Sequence, residues 1–241
     1  MKYLSIFFLL LSFISCQITE TITINSDGSG DIELVQLREE NSYMQMVGEE
    51  YSKENVFQDT TYVFKDYITK YKENFQKYTV EEQQLFQKYA NVKTHIKRSS
   101  FEKEFRSVFA LHFNKVSEIP DLFKTEDYAS DIQHNYALTA ENHYFRIEYA
   151  FDGKVFKRSV SIINTTEFEK AKGDSERFKA KYGDAKLTQS YVLKYHFPQK
   201  IKSISNPQAM VAADQKSLTI EFQLADCLKN PEITNLEVIL E

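Results

Sequence analysis

Two runs of alternating residues, His143 to Phe151 (HYFRIEYAF) and Lys154 to Ile162 (KVFKRSVSI), flank an Asp152-Gly153 pair. Asp-Gly between alternating runs is the strongest short-range hairpin signal, so the chain is committed to antiparallel pairing here. With Asp152 and Gly153 as the two turn residues, Phe151 pairs with Lys154, Tyr149 with Phe156, Phe145 with Val160, His143 with Ile162 and Glu148 with Lys157. Aromatic with aliphatic and acid with base are favourable cross-strand neighbours. Arg158 then falls opposite Ile147, and this register does not explain it.

The period of two recurs along the chain. Gln17 to Asn25 sets Ile18, Ile22 and Ile24 against Thr19, Thr21 and Thr23, with Glu20 the one discord. Ser26-Asp27-Gly28-Ser29-Gly30 is turn chemistry, and Ile32, Leu34, Val35 and Leu37 resume the apolar character. Val92 to Arg98 alternates and pairs with a run carrying Phe105, Phe109, Leu111 and Phe113. Tyr191, Leu193, Tyr195 and Phe197 form a strand stopped by Pro198, Leu218 to Leu224 another, and Leu236 to Leu240 a last one.

Between these runs the period changes. Phe64, Tyr67, Ile68, Tyr71, Phe75 and Tyr78 fall on one helical face. Thr79-Val80-Glu81-Glu82 has the form of a capping box, so either a second helix starts there or one helix continues through it. Thr166 to Glu169 is another capping box, ahead of Phe168, Ala171, Ser175, Phe178 and Tyr182, with Gly183 where a helix ends. Residues 39–59 read as a long, partly helical connection, and Ser117 to His134 as a short helical or irregular stretch. Strands and amphipathic stripes need a common core, which predicts an α+β fold over residues 16–241: one domain with an antiparallel sheet of hairpins and amphipathic helices on one face. Only 6 Gly and 4 Pro beside 19 Phe and 15 Tyr fit a packed domain with long elements, not a disordered tail. A net charge of −5 argues against nucleic acid as a partner.

The first sixteen residues, MKYLSIFFLLLSFISC, carry an address. Lys2, the unbroken apolar run Leu4 to Ile14, then Ser15 and Cys16 have the layout of an export signal, and the run is too short to span a bilayer. Phe13-Ile14-Ser15-Cys16 resembles the lipobox of bacterial lipoproteins, although Phe stands where Leu is commonest. The resemblance implies that residues 1–15 are removed and that Cys16 is acylated and becomes the first mature residue; ordinary secretory cleavage is the alternative. No Gly/Ser tether separates Cys16 from the first strand, so the folded body should sit close to the membrane. Gln17 is not the Asp that resembles an inner-membrane retention signal, which places the expected anchor in the outer membrane, facing the periplasm. CQITETITINSDGSGDIEL further resembles the opening of lipoproteins of the Bacteroidota kind, and the segment from Tyr191 to Leu240 resembles envelope lipoproteins that include the LppM-like domain. These likenesses imply a mixed sheet and helix fold in the envelope and bring no catalytic residues.

Candidate sites are few. Asn25, Asp27, Ser29 and Gly30 stand at positions one, three, five and six of a calcium loop with Glu33 at nine, but Gln36 occupies the twelfth position, where a bidentate Glu belongs. A plain hairpin turn is the leading reading. His95, His112, His134, His143 and His196 show no ligand spacing, and Cys227 has no nucleophile motif, so no metal, cofactor or catalytic set is expected. The stripe with Phe64, Tyr67, Tyr71 and Phe75 is core by default; the sharper reading is a groove for an acyl chain. Asn164-Thr165-Thr166 and Asp59-Thr60-Thr61 fit short glycan-acceptor patterns. The expected function is a non-enzymatic binding or structural lipoprotein that contacts a lipid, a glycan or an envelope protein. The alternative is an envelope hydrolase without a readable motif.

Overall fold

The computed structural model describes residues 16–182 and 189–241. In chain order the elements are β1 (Cys16–Ile24), β2 (Gly30–Arg38), α1 (Glu40–Val47), β3 (Phe57–Val63), α2 (Phe64–Lys70), α3 (Lys72–Phe75), α4 (Val80–Gln87), β4 (Lys93–Ser99), β5 (Glu104–Phe113) and α5 (Thr125–His134). Then follow β6 (Phe145–Phe151), β7 (Val155–Ile162), α6 (Thr165–Tyr182), β8 (Ser190–His196), β9 (Ile201–Ile204), β10 (Met210–Val211), β11 (Ser217–Gln223), α7 (Leu224–Lys229) and β12 (Leu236–Leu240). The fold is α+β, as the patterning predicts. Two sheets form, however, not one. An eight-stranded sheet has the order β10-β11-β8-β1-β2-β5-β4-β3, and a four-stranded sheet the order β6-β7-β12-β9. Nor is the large sheet purely antiparallel, because β1 pairs in parallel with β8, Ile18 beside Tyr191 and Ile22 beside Tyr195.

Register explains which face is buried. Paired residues project on the same side of a sheet, and the pairings align Ile18, Ile22, Ile32, Leu34, Phe109, Leu193 and Ile220 on one face. All of them are buried. The four-stranded sheet covers one half of that face, with Phe156 meeting Tyr195 and Phe197 edge to face at ring separations of 5.3 and 5.4 Å. Helices α2 to α5 cover the other half, α5 packing on α2 and α3, and Tyr62 of β3 lying 4.6 Å from the Tyr67 ring. Phe123 joins the two halves by edge contacts with Phe145 and Tyr191.

The β6–β7 hairpin is displaced by two residues from the register expected of an Asp152-Gly153 turn. Phe151 pairs with Phe156, Tyr149 with Arg158 and Ile147 with Val160. The cause is the Asp152 side chain, whose Oδ1 accepts the N–H groups of Lys154 (2.9 Å) and Val155 (2.7 Å). That makes Asp152 the last residue before the turn and Gly153-Lys154 its centre. Gly153 has φ +97°, a positive value at the first central position, as a type II′ turn requires. Three further expectations shift. The long connection over residues 39–59 contains α1 and the start of β3. The aromatic helix is interrupted at Tyr71 (φ −110°, ψ 38°). The cap of α6 is Asn164, whose Oδ1 accepts the Glu167 N–H at 3.1 Å, not Thr166. Gly183, expected to end that helix, lies outside the described residues. The Thr79–Glu82 capping box is present, with both reciprocal hydrogen bonds, at 2.8 and 3.2 Å.

Glu20 and Arg158, the two residues out of keeping with their patterns, meet across the sheets. Each is 1% exposed. Arg158 Nε and Nη2 donate to Glu20 Oε1 (3.2 Å) and Oε2 (3.3 Å), Nη2 also to the Tyr191 hydroxyl (2.6 Å), and Nη1 to the Thr234 carbonyl (3.1 Å) and Oγ1 (2.8 Å). All five guanidinium donors are therefore used. The Tyr191 and Tyr195 hydroxyls donate to the remaining positions on the Glu20 carboxylate. Burial by itself would raise the Glu20 carboxyl, but the Arg158 charge and hydrogen bonds from Arg158, Tyr191 and Tyr195 hold it below its ordinary value.

Removing one member leaves a buried charge unpaired, which costs about 3–5 kcal/mol, whereas apolar replacement of both is much milder. Glu20→Gln and Arg158→Met should each lose stability on that scale in urea titrations, and the double variant E20L/R158M should lose less than the sum of the two. Because the folded carboxyl is depressed, its contribution is complete above the ordinary carboxylate value and is lost as pH falls below it. The gap between wild type and Glu20→Gln should therefore close only in acid.

Candidate functional site

Cys16 is the first residue of β1, paired with Arg38, so the chain enters the large sheet at the cysteine itself with no intervening spacer. Residues 1–15, whose layout reads as an export signal, lie outside the described residues, as does the Cys16 side chain. Beneath this point the sheet is stiffened by Arg38. Its guanidinium carbon lies 3.2 Å from the centroid of the Phe105 ring and 3.8 Å from that of Tyr43. Its nitrogens donate to Glu40 (2.6 Å to Oε1) and to both Glu54 oxygens (2.9 Å each). Burial would lower the Arg38 guanidinium, but Glu54 and Glu40 raise it above its usual value. Tyr51 and Tyr43 hydroxyls donate to the same two carboxylates. Stacked rings and charge-assisted bonds thus lock α1 and the turn after it onto β2.

The aromatic stripe is divided between core and flank. Phe64 is fully buried and packs on Phe86 and Tyr89, so it lines no groove. Tyr67, Tyr71 and Phe75 are half-buried and packed against that core. The physical reason is the second layer supplied by α4 and α5: Phe86 and Tyr128 close over the stripe with rings 5.4 Å apart. The break at Tyr71 lets Asn74 turn its Nδ2 to the Ile132 and Gln133 carbonyls at the end of α5, at 3.1 and 3.0 Å. A depression does exist elsewhere, lined by Ser205, Asn206, Gln208, Gln223, Asp226 and Asn235.

The calcium-like residues form a self-satisfied turn. Asp27 Oδ1 accepts the Ser29 N–H (3.0 Å) and hydroxyl (2.6 Å), and Asn25 Nδ2 donates to Ser29 Oγ (3.0 Å). Glu33 stands in β2, paired with Thr21 and Ala110, and does not join the turn. Gly30 has a packing role, since a Cβ there would lie 2.0 Å from the Thr23 carbonyl oxygen. Among the described residues no cluster of His, Cys, Asp and Glu is arranged to hold a metal. Four histidines instead sit singly beside carboxylates: His95 by Asp59, His112 by Asp31 and His143 by Asp127, each at 3.0 Å, and His196 by Asp214 at 3.9 Å. His134 lies 3.0 Å from the Ser130 carbonyl. Burial pushes the Cys227 thiol up to about 12, the opposite of an activated nucleophile. Of the two glycan-like positions, Asn164 caps a helix and Asp59 lies in β3.

A polar cluster that the sequence reading missed lies between β5 and β6. Asp121, 7% exposed, accepts the Phe123 N–H at Oδ1 (3.2 Å), while its buried Oδ2 has no hydrogen-bond partner. Burial pushes this carboxyl above its ordinary value, against the nearby charges of His143 and Lys124. Those two are already paired, His143 with Asp127 and Lys124 with Glu141 (3.4 Å), and Glu141 also accepts the Tyr128 hydroxyl. No spacing signal marks the group, because its members come from a stretch without a clear packing face.

No family model matches the chain, and no curated protein matches it. Among solved structures it is similar to the NMR structure of the folded domain of the Mycobacterium tuberculosis LppM protein, with a TM-score of 0.33 and 9% identity over 94% of this chain and 90% of that one. A likeness of that size carries no inference about activity.

Two outcomes are expected. Phe64→Ala should cost about 3–5 kcal/mol, the range for emptying a buried aromatic site, and Tyr71→Ser distinctly less, as read by denaturant midpoints. Asp121→Asn should stabilise the protein at neutral pH. A raised carboxyl contributes its full stability below the unfolded value of about 3.9 and loses it as pH rises through the folded one. Melting curves of wild type and Asp121→Asn should therefore coincide in acid and separate towards pH 7.

Proposed function

We propose that this chain is an envelope lipoprotein held on a membrane through acylated Cys16, with a non-enzymatic binding or structural role. The observation that carries the reading is the position of Cys16: the residue that closes the export signal is also the first residue of the strand paired on both sides at the middle of the large sheet. An anchor there would hold the folded body directly against the bilayer. Two or more acyl chains, at about 0.8 kcal/mol per buried CH₂, make such attachment effectively permanent. The periplasmic side of the outer membrane is the proposed site, from the identity of Gln17. Partners of the envelope class, whether lipid, glycan or protein, fit this placement, and the acidic balance of the chain disfavours nucleic acid.

The non-enzymatic reading is supported by where the polar side chains are committed. Glu20 and Arg158 use their capacity on each other, the two tyrosines and Thr234. A hydrolase reading would rest on Asp121, a buried carboxylate held above its ordinary range. Its charged neighbours Lys124 and His143 are themselves engaged, by Glu141 and Asp127.

Mass spectrometry of the native amino-terminal peptide tests the anchor: Cys16 should carry diacylglycerol on its thiol. Cys16→Ser should shift the protein out of the membrane fraction. An unmodified mature end beyond Cys16 would sink the proposal.

A further inference from the structure

The end of the large sheet at which Cys16 lies also carries the two most exposed large hydrophobic side chains among the described residues, Phe101 (75% exposed) and Phe57 (68%). Register places them there without ambiguity. Cys16 pairs with Arg38, whose guanidinium covers Phe105; Phe105 pairs with Arg98, and Arg98 with Gln58. These residues form one row across five strands. One residue further out along the strands lie Phe57 and Ser99, which pair with each other. Beyond them the Ser100 N–H donates to the Val56 carbonyl (2.9 Å), and Phe101 sits at the tip of the β4–β5 turn. Val56 is exposed as well, and so is Met44 on α1, the helix that follows Arg38. At about 4.8 Å per strand, the step from β1 to β3 spans only about 19 Å.

We infer that this rim, Phe57 and Phe101 with Val56, is a membrane-docking edge that dips into the lipid surface beside the anchor. The inference rests on the lipoprotein reading above. What selects a bilayer as occupant is the anchor itself, because acyl chains carried on Cys16 would enter the lipid at this same edge, where Cys16 pairs with Arg38. The contact is apolar and not an attraction to anionic headgroups, since the nearby cations are engaged: Lys97 by Glu102 and Glu104, Arg106 by Glu104, Lys53 by Glu50, and Lys103 over the Tyr51 ring at 4.1 Å. A single lipid attachment point leaves a body free to tilt; a second, apolar contact displaced along the sheet removes that freedom and fixes which surface faces away from the membrane. The loop tips at the other end of the β1–β2 hairpin, about 27 Å from Cys16, then point outward.

The chain contains no Trp, so one introduced indole reports alone. Mature, acylated Phe101→Trp and Phe57→Trp variants are placed in phosphatidylcholine vesicles whose acyl chains are brominated near the headgroups, with Ser26→Trp, in the distal turn, as control. Circular dichroism checks each fold. The expected result is blue-shifted emission that brominated lipid quenches by about half for Phe101→Trp and Phe57→Trp, unchanged by high salt, with no quenching for Ser26→Trp. Protein that floats with the vesicles while the indole of Phe101→Trp stays unquenched overturns the docking edge and leaves the anchor standing. Blue-shifted but unquenched emission also overturns it, because the edge is then covered by protein, a second copy of the chain. Protein that fails to float overturns the anchor, and the docking edge with it.

Discussion

The Glu20–Arg158 ion pair is the constraint on which the architecture depends. Sheets pack through apolar faces, and apolar contact alone does not determine which residue lies over which. A buried carboxylate and a buried guanidinium do, because each is strongly destabilising unless it meets the other in one geometry. Here the pair sits where β1 of the large sheet passes under β7 of the small one, with Tyr191 and Tyr195 from β8 and Thr234 from the turn before β12 closing every open position. One interaction thus registers two sheets and the carboxy-terminal segment together. Its members are 138 residues apart in the case of the acid and base, and 171 in the case of Glu20 and Tyr191.

β1 consequently carries two roles. Its inner face supplies Glu20 and three isoleucines to the core, and its first residue is the cysteine at which the chain would meet a membrane. A strand inside a sheet, hydrogen-bonded on both sides, is the stiffest element available, so force or tilt at Cys16 passes to the sheet as a whole and not to a tether. The Arg38 stack, with rings on both sides of the guanidinium and two carboxylates at its rim, reinforces the same end.

Local patterning carried most of the elements. The β1–β2 hairpin, the Thr79–Glu82 cap, the β4–β5 pair and the last strands all lie where their alternation or capping residues put them, because these signals act over a few residues. The displaced β6–β7 register shows the limit of the same reasoning. Asp-Gly marks a hairpin correctly, but whether Asp is inside the turn or just before it depends on where its carboxylate binds. In this chain it accepts the Lys154 and Val155 N–H groups, which shifts every pair by two.

The sequence by itself determined that the chain forms sheet and amphipathic helix around an aromatic core, that hairpins form at the Asp-Gly turns, and that an export-like segment ends in Cys16. It also marked Glu20 and Arg158 as out of place on their apolar faces. Only the tertiary structure decided that these two are partners, that β8 returns beside β1 in parallel, that Phe64 is sealed beneath Phe86 and Tyr89, and that Phe57 and Phe101 share an edge with Cys16. The reason is the same in each case. Periodicity reports which side of an element is buried, a property of neighbours along the chain, whereas pairing between segments far apart in sequence is settled by which buried groups can satisfy one another.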